Sequence, residues 1–379
     1  MSRLQTSPYW AVVQHICPHR SAKRSSGPDA LCWPLRSHIR VQDNQPPSLD
    51  TLGRPLGSLR LSVTDRCNLR CSYCMPADSY TWLPREDLLR FEELRRLCGA
   101  FVSLGCDRIR LTGGEPLLRR DLPELVRLLR ALPGLKDLAL TTNGLLLEGL
   151  ARQLAEAGLP RITVSLDTLQ PARFVSISKR DGLPQVLRGI EAASKAGFES
   201  LKLDSVIMRG VNDDEIPALI DFARSMRAEI RFIEYMDVGG ASQWSAERVV
   251  PAAEILKIIE KSHGPAQRET TQGRAPATPW RLGDGTPFGI IASMSAPFCD
   301  ACDRSRVTAD GQWFHCLYAE RGTDLRGLLR AGATDAELMS SIRSAWAGRD
   351  DRGAMQRLGL SVRNAIPGDA HNEMHVRGG

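Results

Sequence analysis

Residues 59–74 read LRLSVTDRCNLRCSYC, a short apolar alternation that runs straight into three cysteines, Cys67, Cys71 and Cys74, spaced C-x3-C-x2-C. Leu59 and Leu61 alternate with polar neighbours at period two, the pattern of a strand with one buried face. The same rhythm recurs downstream. Strand-like runs at 108–112, 137–142, 161–166, 201–207 and 229–235 follow the first at 59–64, and helix-period segments lie between them at 91–104, 121–132, 145–157, 183–196 and 213–227. Six strand–helix units joined by right-handed crossovers predict an α/β protein, either a doubly wound sheet or an open six-stranded part of a (β/α) barrel. Periodicity does not choose between them.

In either architecture, functional groups gather at the carboxyl ends of the strands. Unusual residues follow each run: the cysteine loop after the first, Thr112-Gly113-Gly114-Glu115-Pro116 after the second and Thr141-Thr142-Asn143-Gly144 after the third. Ser165-Leu166-Asp167 and Glu234-Tyr235-Met236-Asp237 follow later ones. Three thiolates on one loop can hold three irons of a cubane cluster and leave the fourth open to a ligand, whereas electron-transfer clusters take four cysteines. Three ligands of a tetrahedral zinc site are the alternative. A second triplet, Cys299, Cys302 and Cys316, is followed after its close pair by Arg304-Ser305-Arg306. His315 beside Cys316 offers a fourth zinc ligand, so spacing alone leaves zinc and iron–sulfur open.

The whole chain has 379 residues, 42% hydrophobic and 25% charged, a globular balance that excludes disordered, collagen-like and coiled-coil classes. No run approaches 18 uncharged apolar residues, so no membrane span is expected. The net charge of +6 is concentrated at one end: residues 1–57 hold seven Lys or Arg against three Asp, leaving 43 basic and 41 acidic residues beyond them. A general nucleic-acid footprint is therefore not expected. Ten cysteines without a secretory signal favour metal ligation over disulfides and a cytoplasmic location. Cys98 and Cys106 have apolar neighbours and read as small core residues. Residues 1–57 carry seven prolines and no motif, and read as a disordered or leader segment that a chain starting near Gly57 could lack without harm.

Taken together, CNLRCSYC, TGGEP, TTNG and VSLD in that order resemble the radical S-adenosylmethionine superfamily. The run FCDACDRSRVTADGQWFHCLY is similar to the C-terminal cysteine run of the GTP 3′,8-cyclase family, which opens molybdenum cofactor biosynthesis. With LRLSVTDRCNLRCSYCMP, RIRLTGGEPLLRRDL, LKLDSVIMRGVNDDE and IRFIEYMDVG, the likeness extends over residues 59–379. It departs at Arg108, at Asp204 and in the tail Met374-His375-Val376-Arg377-Gly378-Gly379.

The resemblance implies a partial (β/α)6 barrel over 58–240 and a C-terminal second-cluster region over 241–379. It implies two [4Fe-4S] clusters, one on Cys67, Cys71 and Cys74 and one on Cys299, Cys302 and Cys316, with S-adenosylmethionine held near Tyr73, Gly114, Ser165 and Met236. GTP would meet Arg60, Arg110, Thr141, Lys202, Arg231, Arg304, Ser305 and Arg306, with Arg108 a weaker candidate, and Gly378 and Gly379 would reach the reacting centre. The implied chemistry is removal of hydrogen from C3′ of GTP by a radical derived from S-adenosylmethionine, closure onto C8, and reduction to 3′,8-cyclo-7,8-dihydro-GTP. Implied partners are an electron donor such as flavodoxin or ferredoxin and a downstream cyclic pyranopterin monophosphate synthase. A homodimer fits the same pattern.

Overall fold

Alternation at period two builds the barrel wall. In β1 (Ser58–Ser62) the sequence SLRLS sends Leu59 and Leu61 to the helix side, fully buried, and leaves Ser58 and Arg60 partly accessible on the other face. β2 (Arg108–Thr112), β3 (Asp137–Thr142), β4 (Arg161–Ser165), β5 (Ser200–Ile207) and β6 (Glu229–Glu234) repeat the device. All five junctions between them are parallel. This computed structural model describes residues 47–379 except 78, 240, 242, 271–272, 359, 361–372 and 379. The expected leader lies outside the described residues up to position 46.

Helices α1 (Phe91–Ser103), α2 (Leu122–Arg130), α3 (Leu147–Glu156), α4 (Pro171–Ser178), α5 (Leu183–Lys195) and α6 (Ile216–Ser225) connect these strands. Their apolar stripes, such as Leu94, Leu97 and Phe101 in α1, share one core with the strand leucines, and Cys98 and Cys106 are buried in it. The sequence reading omits α4, whose eight residues bury only Phe174, Ile177 and Ser178 and so offer little periodicity. The first strand pairs only to Ser62, because Val63 donates across to Thr112 O and Gly114 donates back to Thr64 O, turning the chain toward the cysteine loop.

Beyond β6 come α7 (Ala252–His263), β7 (Ala266–Arg268), β8 (Thr278–Leu282), β9 (Pro287–Ile291), β10 (Arg304–Val307), β11 (Gln312–Phe314) and β12 (Thr323–Asp324). α8 (Leu325–Arg330), α9 (Asp335–Ala347) and α10 (Gly353–Leu358) follow. Sheet order is β12-β11-β10-β1-β2-β3-β4-β5-β6-β9-β8-β7. β10 lies parallel beside β1 and β9 parallel beside β6, so the six-stranded wall is extended on both flanks by strands from the C-terminal region. The sheet is not closed by hydrogen bonds, an open barrel of the expected kind.

Residues 47–57, grouped with the leader in the sequence reading, pack on the barrel instead. Leu56 is fully buried, Ser48 N–H bonds Leu104 O, and Trp346 donates its indole N–H to Arg54 O at 3.1 Å. The segment has no helical or strand period and so carries no signal of burial.

Candidate active site

The first cysteine loop leaves the carboxyl end of β1. Arg70 and Ser72 N–H groups bond the carbonyls of Ser178 and Ile177 at 2.9 Å, tying the loop to the end of α4. Cys67 Sγ accepts from Leu69 N at 3.5 Å and lies 3.9 Å from Asn143 Nδ2. The Asn143 amide N–H donates to Glu115, whose carboxylate also accepts from Thr142 Oγ1 and Leu117 N. Burial pushes the Glu115 carboxyl up to about 7 against these three donors. Gly113 and Gly114 are required by the loop itself: a Cβ on Gly113 would come within 2.5 Å of Thr64 O, and one on Gly114 would run into Arg66 O. The resemblance sets Gly114 beside a ligand; the structure puts protein backbone where the Cβ of either glycine would lie.

Tyr73 Oη donates to Asp167 at 2.6 Å, and the other Asp167 oxygen accepts from Val206 N. Tyr73 and Met236 flank one apolar patch with Tyr235, Met208 and Trp244. Ser165 ends β4, in register with Asp204 of β5. Burial, with little to offset it, raises the thiols: Cys67 to about 11, and Cys71 and Cys74 upward as well, each further opposed by a neighbouring cysteine.

The expected cations share the face of the wall opposite the leucines. Arg60 stands between Arg110 and Arg306 in register. Arg110 Nη1 donates to Thr141 and Thr163 hydroxyls, each at 3.0 Å. Lys202 and Arg231 are bridged by Glu229, at 2.5 and 2.7 Å. Burial, then Arg306, Arg110 and Arg304, push the Arg60 guanidinium well below its ordinary range, and burial with Arg304 pushes Arg306 down to about 10. Like charges held this close in a partly dry wall give the face a positive potential. These side chains sit along the strands, not at their carboxyl ends as the sequence reading places them. Ser305 is not brought to this face: it pairs with Leu59 and is fully buried on the helix side. Arg108 is engaged by Asp303 and Asp107.

The tail enters the same face. Arg60 and Arg306 each donate to Gly378 O at 3.1 Å, and Ser62 Oγ donates to Val376 O at 2.8 Å. Gly378 has φ +69°, and a Cβ there would collide with Thr112 Oγ1, so the position admits only glycine. Gly379 lies outside the described residues. His375 packs edge-on against Tyr80 and Trp82, over which Arg70 also stacks.

The second triplet lies at the other end of the same strand pair. Cys302 precedes the amino end of β10, while Cys67 follows the carboxyl end of its parallel neighbour β1. Antiparallel pairing of Phe314 with Arg306 brings the chain back toward Cys316. Arg304 Nη2 is 3.6 Å from Cys302 Sγ. Burial raises the Cys302 thiol, but Arg304, its hydrogen bonds and Arg349 outweigh that and bring it down to about 7; burial and Asp351 raise Cys316 to about 11. The His315 ring packs against Trp313 and Trp346, so the candidate fourth zinc ligand is held in an aromatic cluster.

Sequence reasoning missed Thr163 and Glu229, which alternation within their strands could have placed on the cationic face, and noted Asp204 only as a departure from the family pattern. It also missed Asp50, Arg54 and Arg349, for which no sequence signal exists. Among the described residues, no three His, Cys, Asp or Glu side chains converge closely enough for one metal ion, and no helix is long and apolar enough to cross a membrane.

A cysteine-loop α/β barrel of this kind defines the radical S-adenosylmethionine class, and the model of the radical SAM superfamily matches residues 61–223. The fold is shared, at 16% identity and a TM-score of 0.54 over 81% of this chain and 71% of that one, with Streptococcus suis SuiB, solved bound to S-adenosylmethionine. The Molybdenum Cofactor Synthesis C family matches residues 228–355. The chain is 52% identical to GTP 3′,8-cyclase 3 of Mycobacterium bovis, covering 92% of this chain and 98% of that one. It is 52% identical to GTP 3′,8-cyclase 1 of Mycobacterium tuberculosis (87% and 95%) and 49% identical to the GTP 3′,8-cyclase of Acidothermus cellulolyticus (87% and 96%). The chain belongs to the GTP 3′,8-cyclase family.

Proposed function

We propose that this chain is a radical S-adenosylmethionine enzyme that converts GTP to 3′,8-cyclo-7,8-dihydro-GTP in molybdenum cofactor biosynthesis. The observation that carries this reading is the arginine-lined face between two cysteine triplets, one at each end of the β1–β10 pair. β1 spans roughly 13 Å from first to last residue at ~3.3 Å per step. The donor sets suit iron–sulfur clusters: each triplet offers three sulfurs, and Cys67 and Cys302 already have N–H groups aimed at them. Cys67, Cys71 and Cys74 would hold one [4Fe-4S] cluster, and Cys299, Cys302 and Cys316 the other. When bound, the first cluster and S-adenosylmethionine would supply the electron and the hydrogen-abstracting radical.

The chain's own part is placement and charge. Tyr73, Gly114, Ser165 and Met236 surround the S-adenosylmethionine position, with Asp167 orienting Tyr73. Arg60, Arg110, Lys202, Arg231, Arg304 and Arg306 oppose the triphosphate charge, and Thr141 holds Arg110 in place. Gly378 meets Arg60 and Arg306 from the tail, and Gly378 and Gly379 would act at the reacting centre. Residues 58–240 act as the radical barrel and 241–379 as the substrate-side region. An electron donor such as flavodoxin or ferredoxin, a downstream cyclic pyranopterin monophosphate synthase, a cytoplasmic setting and a homodimer belong to the same reading.

The test is anaerobic turnover of GTP with S-adenosylmethionine and a one-electron reductant, alongside iron and sulfide analysis. About eight irons per chain and cyclised product are expected. Stoichiometric zinc with little sulfide, or S-adenosylmethionine cleavage with no GTP-derived product, defeats the proposal.

A further inference from the structure

Behind the turn that carries Cys299 and Cys302 sit two buried arginines that the reading above does not use. Arg54 Nη1 donates to Cys299 O at 3.1 Å and to Asp351 O at 2.8 Å. Arg349 Nη1 donates to Cys302 O at 2.8 Å, and its Nε faces the Asp351 carboxylate at 3.2 Å. Each thus holds the main-chain oxygen of one cysteine. A single carboxylate joins them: Asp50 Oδ2 lies 2.6 Å from Arg54 Nε and 3.4 Å from Arg349 Nη1. The side chains of Arg54 and Arg349 are 1% exposed and that of Asp50 is 0%.

Three charged side chains so fully removed from water are expensive to keep, and the two cations are balanced by two carboxylates, Asp50 between them and Asp351 against Arg349. Burial of this kind is tolerated where geometry and hydrogen bonds repay it, and charge-assisted bonds to carbonyls are the strong kind. The same segment passes close to the third cysteine, since a Cβ added at Gly353 would lie 3.0 Å from Cys316 Sγ.

We propose that Asp50, Arg54 and Arg349 are positioning residues for the second cysteine site. They fix the carbonyls of Cys299 and Cys302 with charge-assisted bonds, and so set the turn from which those two thiolate ligands project. Residues 47–57 therefore belong to that site although they precede the barrel in sequence. The inference rests on the second triplet holding a cluster. Outer-shell partners of metal ligands typically matter at the level of about 10–100-fold in affinity or activity.

The test uses the full chain, purified anaerobically, with Arg349→Gln, Arg54→Gln and the near-isosteric Asp50→Asn, plus Arg349→Lys, which keeps charge but loses the fork. Iron and sulfide per chain, the electron paramagnetic resonance spectrum of the second site and product formed per S-adenosylmethionine cleaved are measured. The second-site spectrum is isolated in a Cys67→Ala background. Arg349→Gln is expected to retain S-adenosylmethionine cleavage within about twofold, to alter the second-site spectrum and to lower coupled product about 10–100-fold. Arg349→Lys should recover the spectrum in part. Variants that load both sites, keep the unaltered spectrum and couple normally would overturn the proposal. If Cys299→Ala removes no iron from the otherwise unaltered chain, the cluster reading itself fails, and the proposal with it. Should Arg54→Gln not fold, Asp50→Asn and Arg349→Lys still decide the matter, because they preserve side-chain volume.

Discussion

The two cysteine triplets solve one problem by opposite means. The first carries its own brace, since Arg70, lying between Cys67 and Cys71, donates to Cys67 O and Leu69 O. It is tied down from outside by the Ser178 and Ile177 carbonyls and flanked by two acids, Glu115, which is 0% exposed, and Asp167, which is bonded to Tyr73. The second is assembled from afar, its turn braced by Arg54 and Arg349, which lie 245 and 47 residues away from the cysteines whose carbonyls they hold. The first has Glu115 and Asp167 beside it, while the second has Arg304 at its Cys302 sulfur and leads along the strands to Arg306 and Arg60. A site framed by acids suits a ligand that brings its own ammonium and sulfonium charge, whereas a site framed by arginines suits a polyanion.

The sharpest way to break this comparison is to remove the sulfurs. Cys67→Ala, Cys71→Ala or Cys74→Ala should remove one cluster's worth of iron and abolish 5′-deoxyadenosine formation. Cys299→Ala, Cys302→Ala or Cys316→Ala should leave that cleavage measurable while eliminating cyclised product. Iron analysis with chromatography of nucleosides and pterins reads both outcomes, and equal effects from the two sets would erase the distinction.

Truncation separates the regions next. A chain starting at Pro47 should match the full protein, whereas one starting at Ser58 loses buried Leu56 and Arg54 together with the Trp346 hydrogen bond. Loss of a buried leucine alone costs about 2–5 kcal/mol. The shorter chain should therefore unfold at least ~4 kcal/mol more easily in denaturant and lose second-site iron first. Equal midpoints for the two chains would show that 47–57 is an ornament on the barrel.

That expectation reverses the one drawn from sequence, and the reason is physical. The barrel was legible because Leu59, Leu61, Ile109 and Leu111 alternate with polar residues and helices of regular period lie between. The first site was legible because its ligands and its bracing arginine share eight consecutive residues. The brace of the second site was not, because Asp50 and Arg54 lie in a segment without period and meet Arg349 only after the chain has folded. Ser305 misled for the opposite reason: it stands between two arginines in sequence, but period two turns it to the other face.

The electrostatic contrast also predicts reactivity in the metal-free full chain. With Cys302 near 7 and Cys67 and Cys316 near 11, about half of Cys302 is thiolate at pH 7, against roughly one part in ten thousand for the others. Lower basicity reduces intrinsic nucleophilicity with a slope of about 0.4–0.5, leaving a net advantage of roughly 50–100-fold. Mass spectrometry of iodoacetamide adducts should find Cys302 modified before Cys67 and Cys316, at a rate that levels off above about pH 7 while those two still climb. Uniform labelling of the two triplets would contradict the charge asymmetry.

The smallest expected effect concerns the one acid lodged among the substrate-side cations. Glu229 holds Lys202 at 2.5 Å and Arg231 at 2.7 Å, and although burial opposes ionisation, those two cations keep its carboxyl below the ordinary range. It is therefore ionised at neutral pH and competes with a triphosphate for both partners. Its side chain is 29% exposed, so the competition is that of a partly screened pair, about 0.5–1 kcal/mol. Glu229→Gln keeps the shape and removes the charge, and KM for GTP should fall about 2–5-fold with kcat unchanged, because the gain is in binding alone. Salt should narrow the difference, since screening weakens the competitor in the unaltered chain. Cleavage of S-adenosylmethionine without GTP should not respond, as Glu229 opens β6 while the first triplet follows the carboxyl end of β1. A rise in KM would mean that Glu229 instead holds Lys202 and Arg231 in the geometry the triphosphate needs, and that the cationic face depends on its acid as the second cysteine turn depends on Asp50.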